Sequence, residues 1–240
     1  NTAYGFQALD AITTGDDNTA IGFAAGSALN TGNRNIFIGV DAGKTVDQGQ
    51  RSVAIGYKAL EDEDATGYVV AIGYEALTAQ NGATNTYNVA VGYQAGKEVT
   101  TGVQNTIVGG SAGDALTEGD HNIAIGYGAL GTEDTGSRNV AIGKAALFNQ
   151  NHDGSAYNIA IGYEAGAAVT TGTTNTLIGG LAGDALTEGN SNTAVGYFAL
   201  SSEILGDRSV AVGQGALKLQ ENSSDVDVYN TAVGFEAGKN

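Results

Sequence analysis

The chain has 240 residues with 26 acidic and 10 basic side chains, which gives a formal net charge of −16. This charge argues against nucleic-acid binding, which needs Lys and Arg to neutralise phosphates, and against charge-driven docking on anionic lipid. The 38 glycines and the absence of Pro, Cys, Met and Trp exclude disulfides and thiolate metal sites, and they favour a repeat protein over a typical globular enzyme.

From Asn1 onward, a five-residue motif of the type NTAIG or NVAIG recurs, so that the chain contains fourteen copies of it. The motifs close with Gly5, Gly22, Gly39, Gly56, Gly73, Gly92, Gly109, Gly126, Gly143, Gly162, Gly179, Gly196, Gly213 and Gly234, so the usual interval is seventeen positions and three intervals are longer. Three residues after each of these glycines lies an alanine, from Ala8 to Ala237. No apolar run is long enough for a membrane span. Because the chain lacks Met and begins at Asn1, we expect it to be a piece of a longer protein.

Seventeen residues are too few for a helical hairpin, and the motif alternates larger apolar residues with small or polar ones, which is typical of a strand. We therefore predict an all-β fold, a parallel β-solenoid (β-roll or β-helix) of about fourteen 17-residue coils, in which residues 1–240 form a single array. Coils stacked at about 4.8 Å would extend over roughly 65 Å. Blocks of four coils and about 70 residues also repeat, for example 74–143 and 144–213.

Stacking places equivalent side chains in ladders. Asn fills the first motif position in eleven of the fourteen coils, which predicts a ladder of hydrogen-bonded amides. The second and fourth positions, such as Ile123 and Ile125, predict apolar ladders, and the invariant Gly and Ala mark places where the backbone turns or packs closely. The ladder residues that we single out are Gly22, Ala25, Gly39, Ala42, Gly126, Ala129, Asn122, Asn139 and Asn158.

The residue after the invariant Ala is either Leu or Gly, and we name the coils leucine coils and glycine coils accordingly. In glycine coils an apolar residue follows three positions later, as at Leu29 and Val46. Leucine coils usually carry Glu or Gln there, as at Glu133 and Gln150. We therefore expect one apolar side chain per coil, delivered from either of two loop shapes.

Three longer coils lie at the same place in each block and carry loops at 78–87, 148–157 and 218–229. Each loop ends in Tyr directly before a motif, and the loops vary while the scaffold does not, which is typical of recognition sites. The alternative is that they are insertions which the fold tolerates. The candidate recognition residues are Asn81, Asn85, Tyr87, Asn151, His152, Asp153, Tyr157, Asn222, Asp225 and Tyr229.

The motifs NVAIG, SVAIG and NIAIG, each followed by a glycine-bearing return, resemble the head repeats of YadA-like trimeric autotransporter adhesins. The arrays NTAIGFAAG, NVAVGYQAG and NIAIGYEAG are similar to repeats of phage tail fibres and other secreted fibrous proteins. The resemblance to the adhesins implies a left-handed β-roll that associates as a trimer on a bacterial surface.

Some stretches come close to known chemical motifs. GVDAGKT at 39–45 has three residues before its Gly-Lys where a phosphate-binding loop needs four. DEDATG at 62–67 lacks the closing glutamate of a calcium loop, so Asp62 and Asp64 predict only a loose cation contact or a solvated turn. His121 and His152 lack the spacing of a metal pair. We predict no catalytic, cofactor or metal site.

Aromatic residues follow the motif glycine in nine of the fourteen coils, for example at Tyr57, Tyr74, Tyr93, Tyr127 and Tyr163. Such a stripe suits packing in a core or an interface, or stacking on sugar rings.

These features together predict a non-enzymatic fibre segment, structural and adhesive, from a phage tail fibre or a bacterial surface adhesin. We expect it outside the cell, on a cell surface or a virion, as a homo-oligomer that is either a trimer or an end-to-end polymer. Its partner would be a host-surface glycan or protein, with no nucleic acid, no membrane insertion and no cofactor. Two alternatives remain, a self-assembling filament and a glycan- or ice-binding module; regular Thr rows, the signature of ice binding, are interrupted.

Overall fold

The structure, a computed structural model, describes residues 1–62, 67–82, 85–222, 224 and 226–239. Within these residues the regular structure consists of strands alone, with no helix. The chain forms two compact units, Asn1–His121 and Asn122–Asn240, and each is a parallel β-solenoid. The predicted fold class is confirmed, and so is the predicted coil length, because equivalent strand residues such as Thr19 and Ile36 mostly lie seventeen positions apart.

The strands of the first unit are β1 (Thr2–Tyr4), β2 (Thr19–Ile21), β3 (Ile36–Ile38), β4 (Val53–Ile55), β5 (Val70–Ile72), β6 (Val89–Val91) and β7 (Thr106–Val108). Those of the second unit are β8 (Ile123–Ile125), β9 (Val140–Ile142), β10 (Ile159–Ile161), β11 (Thr176–Ile178), β12 (Thr193–Val195), β13 (Gly206–Asp207), β14 (Val210–Val212), β15 (Val226–Asp227) and β16 (Thr231–Val233). Each motif thus supplies one three-residue strand.

Within each unit, every three-residue strand pairs in parallel with the next one along the chain, so equivalent motif positions become partners. Ala124 pairs with Ala141 and Ile125 with Ile142, for example. The short strands β13 and β15 form a separate parallel pair. Sequence repetition therefore produces rows of like side chains.

The strands turn the middle residue of the motif inward. Ala124 is fully buried, and so are the larger Phe37, Ile107 and Leu177 at the same position. The second and fourth positions do form ladders in register, as predicted, but they line the outer face of the sheet rather than the core. The reason is space, because so short a coil encloses little room, and the small Ala fits inside it while β-branched side chains on both neighbouring positions do not.

Most large apolar side chains of the core come from the two loop shapes. Leucine coils bury the residue directly after the invariant Ala, such as Leu60 and Leu130. Glycine coils bury the residue three positions later, such as Leu29 and Val46. In these coils each loop buries one apolar side chain, as predicted, and the coil of Val46 also buries Phe37 from its strand.

Six of the seven glycine coils form three adjacent pairs, and the second coil of each pair carries a large residue in the middle of its motif. A Cβ added at Gly26 or Gly43 would lie 2.6 or 2.5 Å from the ring of Phe37. Gly166 and its successor Gly183 border Leu177 in the same way, at 2.7 and 2.8 Å. The glycines therefore make room for one large side chain, which keeps the interior close-packed.

The motif glycine is required by both conformation and space. Gly22 has φ +141°, and a Cβ there would lie 2.3 Å from the carbonyl oxygen of Gly39 in the next coil. Gly126 has φ +130° and the same close approach, at 2.5 Å. The alanines that follow, Ala25, Ala42 and Ala129, are fully buried.

The motif asparagines form a buried ladder that bonds mainly to the backbone. The Oδ1 of Asn158 accepts the backbone N–H of Asn175 at 2.8 Å, and its Nδ2 donates to the carbonyl of Gly172 at 2.6 Å. Asn122 donates to Gly136 in the same way, at 2.8 Å. Each amide thus joins its own coil to the next one, which differs from the predicted amide-to-amide pattern.

Candidate recognition surface

The three long loops carry the predicted recognition residues at or near the surface. Asn81, Asn85, Asn151 and Asp153 are exposed, whereas His152 and Asn222 are partly buried. The tyrosines that end the loops are exposed by 51% at Tyr87, 54% at Tyr157 and 65% at Tyr229. The predicted residue Asp225 lies outside the described residues, as does Asp64 of the acidic stretch.

In each long coil a buried or half-buried glutamine accepts a hydrogen bond that joins the two ends of the loop. The Asn of the following motif donates its amide to that glutamine in three pairs: Asn88–Gln80 at 2.6 Å, Asn158–Gln150 at 2.7 Å and Asn230–Gln220 at 2.8 Å. Gln80 and Gln150 also donate to backbone carbonyls of the next coil. The loops are therefore attached to a fixed base. The sequence contained the signal, a Gln at this position in all three long coils, but we did not infer its partner.

A buried glutamate in the preceding coil holds the 218–229 loop. Glu203 Oε1 accepts the backbone N–H groups of Gly206, Asn222 and Ile204 at 2.9, 3.0 and 3.1 Å. Its Oε2 accepts the side-chain amides of Gln220 and Asn222, both at 2.7 Å. Burial alone would raise the pKa of Glu203, but these hydrogen bonds lower it below its ordinary value. Asn222, a predicted recognition residue, is thus used as an anchor.

The equivalent glutamate beside the 148–157 loop has a poorer environment. Glu133 is fully buried and accepts the backbone N–H groups of Gly136 at 2.7 Å and His152 at 3.3 Å. Burial raises the pKa of Glu133 above its ordinary value, because its hydrogen bonds do not offset the loss of water. His152, whose backbone is engaged here, lies in no group of metal-ligating side chains among the described residues.

The residue directly before the first motif position, which is Asn or Ser, forms a further ladder on the surface of the second unit, which we call the Arg–Tyr ladder. Its members are Arg138, Tyr157, Thr174, Ser191, Arg208 and Tyr229. The guanidinium of Arg138 lies 5.8 Å from the centre of the Tyr157 ring, and that of Arg208 lies 5.9 Å from the Tyr229 ring. In the first unit, Arg51 lies 5.2 Å from the ring of Tyr68.

The aromatic stripe after the motif glycine lies on the surface, not in the core. Tyr57, Tyr74 and Tyr93 stack with ring centres 5.2 and 5.3 Å apart, and they are exposed by 41%, 42% and 57%. In the second unit, Tyr127 is exposed by 66% and Tyr163 by 50%.

The stretches that resemble known motifs are used by the scaffold. In GVDAGKT, Gly43 borders the Phe37 ring, while the Nζ of Lys44 lies 3.3 Å from a carboxylate oxygen of Asp41 and 3.8 Å from one of Glu61. These contacts engage the lysine that a phosphate would need.

Comparison of the chain with protein-family models, with curated proteins and with solved structures gave no match. The described residues also contain no helix that is long and apolar enough to cross a membrane.

Proposed function

We propose that this chain is a non-enzymatic segment of an extracellular fibre, structural and adhesive, of the kind found in phage tail fibres or bacterial surface adhesins. In this proposal three copies associate in parallel, and their coils are left-handed, as the resemblance to the adhesin repeats implies. The segment belongs on a cell surface or a virion.

The outer face of the sheet carries the proposal. We define this outer sheet face as the second and fourth motif positions, which hold Ile, Val, Thr and, once, Tyr. Ile21 and Ile36 are exposed by 40%, and Ile159 by 37%. Because partners in the register are equivalent residues, these side chains form continuous rows within each unit. The row at the fourth position carries Ile, Val or Tyr in every motif and is at least partly exposed, and a contiguous apolar surface of this kind marks an interaction site.

Charge favours a second copy of the chain as the partner. The formal net charge is −16, so copies repel one another over most of their surface. The outer sheet face contains no charged residue at any of the fourteen motifs, so two copies can approach there without opposing carboxylates. An uncharged apolar centre with a charged rim is the usual anatomy of an oligomer interface.

Light scattering on the purified chain tests the proposal. The expected mass is about three times 24.1 kDa. The double substitution of Ile125→Asp and Ile142→Asp places two carboxylates on the outer sheet face and should give monomers. As a control with the same added charge, Leu219→Asp and Val226→Asp change two side chains that are exposed in the 218–229 loop, and this variant should remain trimeric.

A wild-type monomer at micromolar concentration, or equal dissociation of both double variants, would overturn the trimer. Electron microscopy of the same sample distinguishes the trimeric segment from a self-assembling filament, because a filament would appear as long uniform threads.

A further inference from the structure

The Arg–Tyr ladder has a backbone conformation that is unfavourable for the residues it contains. All six members have φ between 54° and 61°, a left-handed conformation that normally favours glycine. Thr174, with φ 58°, is β-branched and therefore especially strained. The residue just after the invariant Ala also has a left-handed conformation. Glycine coils have Gly at this position, and leucine coils have a Leu whose side chain is buried in the core.

No coil uses glycine in the Arg–Tyr ladder, and none of its side chains fills the core. The same left-handed corner recurs in the first unit, for example at Arg51 and Tyr68, and in the second unit it presents these six side chains to solvent.

The aromatic and cationic members of the ladder are held in place by their neighbours. Arg138 donates to the Oγ of Ser155, and Arg208 forms an ion pair with Asp227. The hydroxyl of Tyr229 donates to the same carboxylate, at 2.9 Å. Each exposed tyrosine ring therefore has a guanidinium group beside it, and Tyr229 is also held through its hydroxyl, which lowers the entropy lost on binding.

The same chemistry recurs along a straight line. The pair Arg138/Tyr157 and the pair Arg208/Tyr229 are four coils apart, which is roughly 19 Å at the spacing of parallel strands. Between them lie the hydroxyls of Thr174 and Ser191, 3.0 Å from each other. A ligand that meets two identical pairs with hydroxyl groups between them is itself extended and repetitive.

A neutral glycan fits these features best. The apolar face of a sugar ring stacks on an aromatic ring, while guanidinium and hydroxyl groups bond to sugar hydroxyls. The net charge of −16 and the carboxylates of Asp153 and Asp227 in the adjoining loops disfavour an anionic polysaccharide. We propose that the Arg–Tyr ladder of the second unit binds a neutral, linear polysaccharide, with one sugar on Tyr157 and another on Tyr229.

This inference rests on the adhesive part of the proposed function and does not depend on the trimer. The test is the retardation of the whole chain in native gels that contain laminarin, mannan or dextran, with alginate and heparin as anionic comparisons. We expect retardation by at least one of the three neutral polysaccharides. Tyr157→Ala combined with Tyr229→Ala should weaken it by roughly tenfold or more, since two stacking surfaces are lost.

The matched control combines Tyr127→Ala with Tyr163→Ala, which removes two equally exposed rings from the aromatic stripe and should leave retardation within about twofold of the wild type. Circular dichroism should show both variants folded, because all four rings are exposed.

Absence of retardation by all three neutral polysaccharides, stronger retardation by alginate or heparin, or an equal loss in the control would each overturn the inference. The mass from light scattering is read on the same samples. If the chain is a trimer but binds no glycan, glycan binding by the Arg–Tyr ladder is wrong and the proposed fibre segment stands. If the chain is a monomer that binds glycan, the trimer is wrong and glycan binding by the ladder stands.

Discussion

Two regions of the second unit, one four-coil block apart, have the same coil design but satisfy their buried polar groups to different degrees. Glu203 accepts hydrogen bonds from three backbone N–H groups and two side-chain amides, while Glu133 accepts them from the backbone alone. The difference arises in the loops, because Asn222 bonds to Glu203 through its side chain as well as its backbone, whereas His152 reaches Glu133 only through its backbone.

A second contrast lies at the start of the two long coils. Ser209 begins one of them, and its Oγ accepts the amide of Gln220 at 3.0 Å. Asn139 begins the other, and its buried Nδ2 has no hydrogen-bond partner among the described residues. Other motif asparagines donate to a carbonyl fourteen positions further on. For Asn139 that position is 153, which lies in the lengthened loop. The sequence of a long loop can thus vary at its exposed positions, but a change of sequence also alters the hydrogen-bond partners available to the buried polar groups beneath the loop.

The largest effect is expected from Glu203→Ala. It removes the acceptor for five hydrogen bonds, whose donors are buried at Gly206 and partly buried elsewhere, and this should lower the free energy of unfolding by about 3 kcal/mol. Glu133→Ala, the matched change, should lower it by about 1 kcal/mol because no side-chain amide loses its partner there. Urea denaturation at pH 7 measures both values, and equal losses would show that the two sites do not differ.

The next effect separates two asparagines of the ladder. Asn175→Ser removes the bond from Nδ2 to Gly189, at 2.8 Å, and the bond that Oδ1 accepts from Asn192, at 2.9 Å. We expect the free energy of unfolding to fall by about 2 kcal/mol.

Asn139→Ser reproduces the residue found at position 209 and removes a buried donor without a partner. It also removes the 3.2 Å bond that Oδ1 accepts from the backbone of Asn158, and these two effects oppose each other. Stability should therefore stay within about 0.5 kcal/mol of the wild type. A thermal melt of the two variants is sufficient, and a loss at Asn139 as large as at Asn175 would contradict this assignment.

Much of the fold could be predicted because the motif glycine and the alanine three residues after it recur in all fourteen coils. Fourteen motifs gave fourteen three-residue strands, and the alternation of leucine and glycine coils gave the source of residues such as Leu130 and Leu29 in the core. The alternation of large and small residues established that the strand has two faces. It could not decide which face is inside, since that depends on the room within the coil, and here only the middle residue fits.

The candidate site was less predictable. The tyrosines that end the loops were identified, but their neighbours Arg138 and Arg208 belong to the preceding coil, and only stacking of the coils brings them together. The environments of the two buried glutamates could not be read from the sequence either. Both occupy the same repeat position, and the donors that distinguish them come from loops of different sequence.

A smaller effect of opposite sign is expected from Glu133→Gln. This substitution removes a buried charge that has few donors. The amide oxygen can still accept the N–H of Gly136, so only the long 3.3 Å bond from the N–H of His152 is lost. Stability at pH 7 should rise by about 0.5 kcal/mol. Glu203→Gln is the control and should be destabilising, because an amide NH₂ would then face the amides of Gln220 and Asn222. A loss of stability in both variants would contradict the difference between the sites.

The smallest expected effect is the pH dependence of the stability of these two variants. The two glutamates should differ in it, because folding shifts their pKa values in opposite directions. The pKa of Glu203 is lowered by folding, so its contribution to stability is present above the ordinary value for Glu and is lost as the pH falls through the lowered pKa. The pKa of Glu133 is raised, so protonation below that raised value relieves the cost of its buried charge. Melting temperatures recorded from pH 7 to pH 3 should therefore show the advantage of Glu133→Gln vanishing first as acid is added, while the defect of Glu203→Gln persists to lower pH. If the two differences from the wild type changed over the same pH interval, the carboxylates would not have the separate environments described above.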